Sequence, residues 1–229
     1  MKSVLPLSSE LKLSRLYGFS VVALVLLTCF LFGLSFYLEP QTRALLMKEN
    51  GVIENLTVVG YLLCVFTMLL KGGAAYLKKY WYFATVLLAF AARELDFDKR
   101  FTNFGVLKSK FLVHPDVSWW GKVIAMAIVL FILLALITIV RRHGRTFLAE
   151  VFAFDWSVKT WSIGFAGCFL VLSKSIDGLG RKLSNWGISQ ISDQADLIAS
   201  MAEESMEFTV PFFFLLTILY YFNCQKGSR

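Results

Sequence analysis

Five carboxylates lie near the ends of apolar segments, where they could bind a cation or transfer a proton. They are Glu54, Glu94, Asp98, Asp177 and Glu207. Carboxylates in different environments can divide acid and base roles, and paired carboxylates can bind Mg²⁺, Mn²⁺ or Ca²⁺ through oxygen. Glu94 and Asp98 share one face if their segment is helical, because they are four residues apart. We therefore take these five residues as candidate catalytic groups, with a divalent cation as a cofactor that they could hold.

Basic residues accompany these carboxylates in the sequence. The candidate substrate-binding residues are Arg93, Lys99, Arg100, Arg181 and Lys182. Guanidinium and ammonium groups bind phosphate or carboxylate through strong, charge-assisted hydrogen bonds. Charges at membrane depth normally pair with one another and face a bundle interior or a wet cavity. The mixed set predicts a polar chamber; the alternative interpretation is that these are ordinary juxtamembrane residues in water.

The composition indicates which class of protein must position these groups. Of 229 residues, 57% are hydrophobic and only 17% are charged, and the mean hydropathy is +0.65. Soluble domains average about 25% charged residues, so a membrane protein is predicted and a disordered tail or a collagen-like fibre is excluded. Four cysteines are scattered singly through apolar runs, which does not suggest a disulfide scaffold. The net charge of +7 fits basic loops flanking membrane spans better than nucleic-acid binding.

Six apolar runs are the candidate membrane spans, since a helix needs about 20 residues to cross the hydrocarbon core. They cover residues 16–38, 55–70, 80–92, 123–140, 160–173 and 208–222. We therefore predict an all-α polytopic membrane protein in which residues 1–229 form a single transmembrane domain. The third and fifth runs would rise only about 20 Å, short of the ~30 Å core, so ionisable groups at their ends should lie below the interface.

The distribution of charge predicts the orientation. With the N-terminus inside, the inner segments hold 12 basic and three acidic residues, whereas the outer segments hold 11 basic and 13 acidic residues. Short basic connections favour the cytoplasmic side, so both termini are predicted to be cytoplasmic. Glu54, Glu94, Asp177 and Glu207 then lie at the outer ends of their helices, which predicts a chamber open to the outer leaflet.

The segment before the last run has two faces. Ile188, Ile191, Ala195, Ile198 and Ala202 form an apolar stripe at helical spacing. The acidic residues of the same segment lie on the opposite side, namely Asp193, Asp196, Glu203, Glu204 and Glu207. This pattern predicts an amphipathic helix at the outer face that runs into the sixth span, with Pro211 near the join, where a proline would kink the helix or mark its first turn. Its acidic side is either solvated or covers the chamber.

Three segments carry a family resemblance. They are Glu49-Asn-Gly-Val-Ile-Glu54-Asn-Leu-Thr57, Arg93-Glu94-Leu-Asp96 with Lys99-Arg100-Phe-Thr102, and Glu203-Glu204-x-x-Glu207. These segments resemble motifs of small uncharacterised bacterial polytopic inner-membrane proteins. The resemblance implies a location in a bacterial inner membrane, and it assigns no reaction and no catalytic residue.

The sequence contains no known catalytic signature that would assign a reaction. His114 and His143 are the two histidines and are predicted on opposite membrane faces, so a histidine-rich zinc site is not expected.

The leading hypothesis is a protein that binds or processes an anionic, lipid-linked envelope substrate. The alternatives are a transporter or ion pathway that uses the same carboxylates, and a non-catalytic membrane partner subunit. The expected partners are membrane lipids and another membrane protein or a second copy, with no nucleic acid.

Overall fold

A computed structural model describes most of the chain. The described residues are 7–34, 36–39, 41–42, 51–97, 111, 114–115, 117–155, 157–187 and 192–226. Within these ranges the regular structure is helical and no strand is present. The helices are α1 (Leu7–Leu34), α2 (Val52–Lys79), α3 (Trp81–Glu94), α4 (Trp119–Ile139), a π-helical segment (Val140–Gly144), α5 (Arg145–Phe152), α6 (Val158–Ile176), α7 (Leu179–Asn185) and α8 (Asp193–Lys226).

Four stretches of the described chain are long and apolar enough to cross a membrane. They are Lys12–Leu34, Val52–Lys79, Trp119–Phe152 and Gln194–Cys224. A fifth crossing is formed if α6 and α7, which meet at an angle of 53°, are taken together. These helices confirm the prediction of an all-helical membrane protein. The count of six spans stays a prediction, because α3 has only 14 residues where about 20 are needed.

The chain divides into two compact units. The first comprises Met1–Gly60 and Trp156–Arg229, and the second comprises Tyr61–Asp155. The helix α2 passes from the first unit into the second and has a non-helical residue, Gly73, in its last third. The single transmembrane domain predicted from the sequence therefore stays a prediction.

In the first unit, α8 packs against both α6 and α1. Phe213 of α8 is fully buried and stacks on Phe165 of α6, with ring centroids 5.9 Å apart. The hydroxyl groups of Thr28 and Thr209 join α1 to α8 at 2.9 Å. Apolar burial fixes the helix pairs, and the paired hydroxyls satisfy groups that would be costly to bury alone.

A glycine allows α2 to approach α8 closely. A Cβ atom at Gly60 would lie 2.9 Å from both Cβ and Cγ of Pro211. Because the proline ring is rigid, it cannot turn away from an added methyl group. Gly60 is therefore required for this approach, one helical turn from Glu207.

In the second unit, α3 packs along α4. Trp81 stacks on Phe131 with ring centroids 5.1 Å apart. The hydroxyl of Tyr82, which is buried, lies 3.0 Å from Nε2 of His143 in the π-helical segment. The start of α3 is thereby held against the end of the apolar stretch that begins at Trp119.

One predicted boundary differs from the structure. The first apolar run is predicted to reach Leu38, but α1 ends at Leu34 and turns follow it. The segment before the last run continues into the sixth predicted span, because α8 extends from Asp193 through Pro211 to Lys226; its amphipathic character and outer-face position stay predictions. Of its predicted apolar stripe, Ile188 and Ile191 lie outside the described residues. A proline removes one backbone hydrogen bond, and packing of α8 on α6 and α1 sustains the helix across it.

Candidate functional site

The helices α6, α7 and α8 bring four charged side chains together. The Nζ atom of Lys174 lies 3.3 Å from Oδ2 of Asp177, 3.1 Å from Oε1 of Glu203 and 2.9 Å from Oε1 of Glu207. We call these four residues the Lys174 cluster. Glu203 and Glu207 share a face of α8 because they are four residues apart. The three N–H donors of the ammonium group match these three carboxylates.

The Lys174 cluster is buried on one side and open on the other. The side chain of Glu207 is 7% exposed and that of Glu203 is 14% exposed, whereas that of Lys174 is 40% exposed. The buried hydroxyl of Ser173 donates a hydrogen bond of 3.2 Å to Oε1 of Glu207. Glu207 is therefore fixed by two donors, and the open side of the cluster is where another group can approach.

The cluster contains more negative than positive charge. Three carboxylates surround one ammonium group, and charges interact more strongly in a partly buried site than in water. Without Lys174, the buried Glu207 would lose the ammonium group that lies 2.9 Å from its Oε1 atom. The arrangement can bind an additional proton or cationic group, and its carboxylates can exchange protons with a substrate.

The turn between α6 and α7 positions two further basic residues. Gly178 adopts a left-handed conformation with φ of 58°, and an added Cβ atom there would lie 2.6 Å from Nη2 of Arg181. The guanidinium group of Arg181 thus lies directly over this glycine, next to Asp177. Arg181 is exposed, and among the side chains that the structure describes no carboxylate lies within ion-pairing distance of it.

Lys182 has a structural role at the end of α6. Its Nζ atom donates hydrogen bonds to the carbonyl oxygens of Lys174 and Ser175, at 3.0 and 3.3 Å. These are terminal carbonyl groups of a helix, which cations stabilise. The backbone N–H of Gly180 donates to Oδ1 of Asp196 at 3.1 Å, which ties α7 to α8. Lys182 therefore holds the backbone that carries Lys174.

The second unit contains a separate ion pair. Nη2 of Arg93 lies 3.1 Å from Oε1 of Glu94, whose side chain is 6% exposed. Adjacent residues point about 100° apart on a helix, so the sequence predicts a further cationic partner for Glu94 from another span, with Lys122, Lys174 and Arg181 as candidates. At the last turn of α3 the long arginine side chain nevertheless reaches its neighbour. A cationic partner for Glu94 from another helix stays a prediction.

The remaining predicted site residues are distributed as follows. Glu54 is half-buried in the first turn of α2. Asp98, Lys99 and Arg100 lie outside the described residues, and so does the proposed pairing of Glu94 with Asp98. Glu94 and Glu207 belong to different units, so their convergence on one chamber stays a prediction. Among the described side chains, no group of three His, Cys, Asp or Glu residues could hold a metal ion together.

Sequence reasoning missed the way in which the site is organised. It did not include Ser173, Lys174 or Glu203 among the site residues, although these side chains contact Glu207 or share its partner. Two signals were available: the spacing of Glu203 and Glu207, and the spacing of Lys174 and Asp177 across the last turn of α6. The hydroxyl of Ser173 gives no comparable signal, because serine is common in apolar helices.

Comparisons with known proteins do not assign a family to this chain. No protein-family model matches it, and no curated protein or solved structure is significantly similar to it. The functional argument therefore rests on the geometry of the described side chains.

Proposed function

We propose that the chain is a six-span protein of a bacterial inner membrane with both termini in the cytoplasm. The helix α3 is the shortest span, and a short span can be accommodated by local thinning of the bilayer. In this topology the Lys174 cluster and its neighbour Arg181 lie at the outer face. Glu54, at the start of the second span, lies on the same side.

The depth of the cluster supports a site at the membrane interface. The 19 residues after Glu207, which complete α8, rise about 28 Å, close to the ~30 Å hydrocarbon core. Glu207 is therefore expected at the edge of the core and Glu203 one turn further out. A relay through the membrane would need charges near the middle of the bilayer, whereas this depth is where lipid headgroups lie.

Glu54 is expected at the depth of the cluster. In the six-span topology the second and sixth spans, α2 and α8, run in the same direction. Glu54 precedes Gly60 by six residues and Glu207 precedes Pro211 by four, and Gly60 contacts Pro211. The two carboxylates then differ in depth by about 3 Å, which supports a shared outer chamber.

In this proposal the site binds and processes an anionic, lipid-linked envelope substrate. Arg181 would contact a phosphate or carboxylate group, because its exposed guanidinium can form paired hydrogen bonds with such groups. Asp177, Glu203 and Glu207 would transfer protons, and Lys174 would hold them in position. Glu54, Glu94 and Asp98 remain candidate acid–base groups, and Arg93, Lys99 and Arg100 remain candidate anion contacts. The observation that carries the proposal is a buried Glu207, held by Lys174 and Ser173, in a cluster whose Asp177 is followed four residues later by the exposed Arg181.

A second candidate function is a proton or cation pathway that uses the same carboxylates. The grouping of three carboxylates around one ammonium group favours it, because carboxylates near the ends of membrane helices can form a proton relay. A non-catalytic partner subunit is the third interpretation, in which the charges form a docking surface.

A lipid comparison distinguishes these candidates. Lipids extracted from cells that lack the gene would be compared with those of wild-type cells, and the mutant would be complemented with Arg181→Gln or Glu207→Gln. The matched controls are Lys12→Gln and Asp155→Asn, which alter exposed charges elsewhere. We expect a changed lipid in the mutant that the controls restore and the site variants do not.

Two other results would contradict the substrate-processing proposal. An unchanged lipid profile together with altered proton or cation uptake would favour the ion pathway. An unchanged profile with loss of a co-purifying membrane protein would favour the partner subunit.

A further inference from the structure

Five basic side chains gather at one end of the second unit. Lys78 and Lys79 end α2, Arg141 and Arg142 belong to the π-helical segment, and Arg145 begins α5. All five are exposed. We call these five residues the basic patch, and none of them belongs to the Lys174 cluster.

Aromatic contacts bring the two halves of the basic patch together. Tyr82 forms its hydrogen bond with His143 at 3.0 Å, and the rings of Phe83 and His143 lie 5.2 Å apart. Lys79 is separated from this start of α3 only by Tyr80. The end of α2 and the π-helical segment are therefore neighbours, although more than 60 residues separate them in the sequence.

Two of the five cations of the basic patch lie over aromatic rings. Cζ of Arg142 lies 5.5 Å from the centroid of the Tyr82 ring, and Nζ of Lys79 lies 5.3 Å from that of Tyr80. Such cation–π contacts orient a positive charge and leave its hydrogen-bond donors open. No ion pair to a carboxylate involves any of the five cations among the side chains that the structure describes.

The backbone at the basic patch is unusual. Val140–Gly144 forms a π-helix, a rare geometry that is often found at functional sites. It follows the apolar run that ends at Val140, so the arginines begin where the membrane core ends. The next helix, α5, exposes Leu148, Val151 and Phe152. This combination of basic and apolar side chains is typical of a helix that lies in a lipid interface.

We propose that the basic patch binds the headgroup of an anionic phospholipid. Arg142 and Lys79 would contact the phosphate group, since the aromatic rings hold both cations in place. The exposed apolar side chains of α5 would lie among the acyl chains of the same leaflet. Basic pockets between membrane helices recognise anionic headgroups in this way. Ordinary basic loop residues need no such aromatic support, and they would attract anionic lipids only as a diffuse layer.

The proposal can be tested on the purified full-length chain. Binding of phosphatidylglycerol would be measured by native mass spectrometry and by thermal stabilisation, with phosphatidylcholine as the zwitterionic comparison. We expect saturable binding of phosphatidylglycerol, and a loss of about fivefold in affinity for each of Lys79→Gln and Arg142→Gln. The matched control is Lys12→Gln with Arg15→Gln, which removes two basic residues of α1.

Four results decide the outcome. Retained binding in Arg142→Lys, with an unchanged melting temperature in Arg142→Gln, supports a contact made by charge. An equal loss in the α1 control would overturn the proposal, because it indicates general attraction to a charged surface. Equal stabilisation by phosphatidylcholine, or displacement of the lipid by inorganic phosphate, would also overturn it.

Discussion

The Lys174 cluster and the basic patch both place ionisable side chains at the ends of apolar helices, but their partners differ. In the Lys174 cluster, carboxylates turn inward onto one ammonium group, and Glu207 is buried. In the basic patch, the cations are exposed and two of them rest on aromatic rings. Lysine and arginine can extend long side chains to the interface, whereas short carboxylates cannot. Acidic groups at the end of a membrane helix therefore need a partner within the protein, whereas basic groups can interact with water and lipid headgroups at the membrane surface.

The largest expected effect is the loss of the central cation. Lys174→Met should lower the free energy of unfolding by about 3 kcal/mol, because it removes one member of an ion pair with the buried Glu207. Unfolding in detergent micelles would measure this. Lys122→Met is the matched control, since Lys122 has no carboxylate partner among the described side chains. A similar loss in both variants would mean that the cluster is no different from an ordinary surface lysine.

A smaller effect on stability is expected where Gly60 of α2 packs against Pro211 of α8. Gly60→Ala should lower the free energy of unfolding by about 2 kcal/mol, because the added methyl group meets the ring of Pro211. Gly18→Ala has open space in α1 and should be neutral or stabilising by up to about 1 kcal/mol. Thermal unfolding of the two variants checks the difference. Equal melting temperatures would show that α2 and α8 do not approach each other closely near Glu207.

The smallest effect is expected in the basic patch. Tyr82→Phe removes the hydrogen bond to His143 but keeps the ring beneath Arg142, so it should cost about 1 kcal/mol of stability. Binding of phosphatidylglycerol should persist. Tyr37→Phe is the control, because Tyr37 is 88% exposed. Loss of lipid binding in Tyr82→Phe would instead assign the headgroup contact to the hydroxyl.

The helical architecture could be predicted from the sequence because apolar length is a local property. Each of the six predicted runs overlaps a helix, and the carboxylates near their ends were recognised as candidates. Which cation pairs with which carboxylate could not be predicted, because the pairing depends on packing between segments that are distant in the sequence. Lys174 is one of three candidate partners for Glu94 from the sequence, and the packing of α6 on α8 places it against Glu203 and Glu207. The pairing of Arg93 with Glu94 depends on how the last turn of α3 ends.

In the basic patch, too, the contacts between distant segments could not be predicted from the sequence. Basic residues that follow an apolar run, as after Val140, are explained from the sequence as the flank of a membrane span. The π-helical geometry and the contact of His143 with Tyr82 had no sequence signal. Neither proline nor a pair of glycines marks this segment, so the local sequence favours an ordinary α-helix.

The central claim is that Lys174 and Glu207 belong to one coupled site. A double-mutant cycle in unfolding free energy tests it most directly, using Lys174→Met, Glu207→Gln and the combination of both. Glu207→Gln keeps an oxygen for the hydrogen bond from Ser173 and removes one carboxylate charge, so it should restore at least about 1 kcal/mol of the stability lost in Lys174→Met. Strictly additive effects of the two substitutions would contradict the account, because they would mean that Lys174 and Glu207 do not interact.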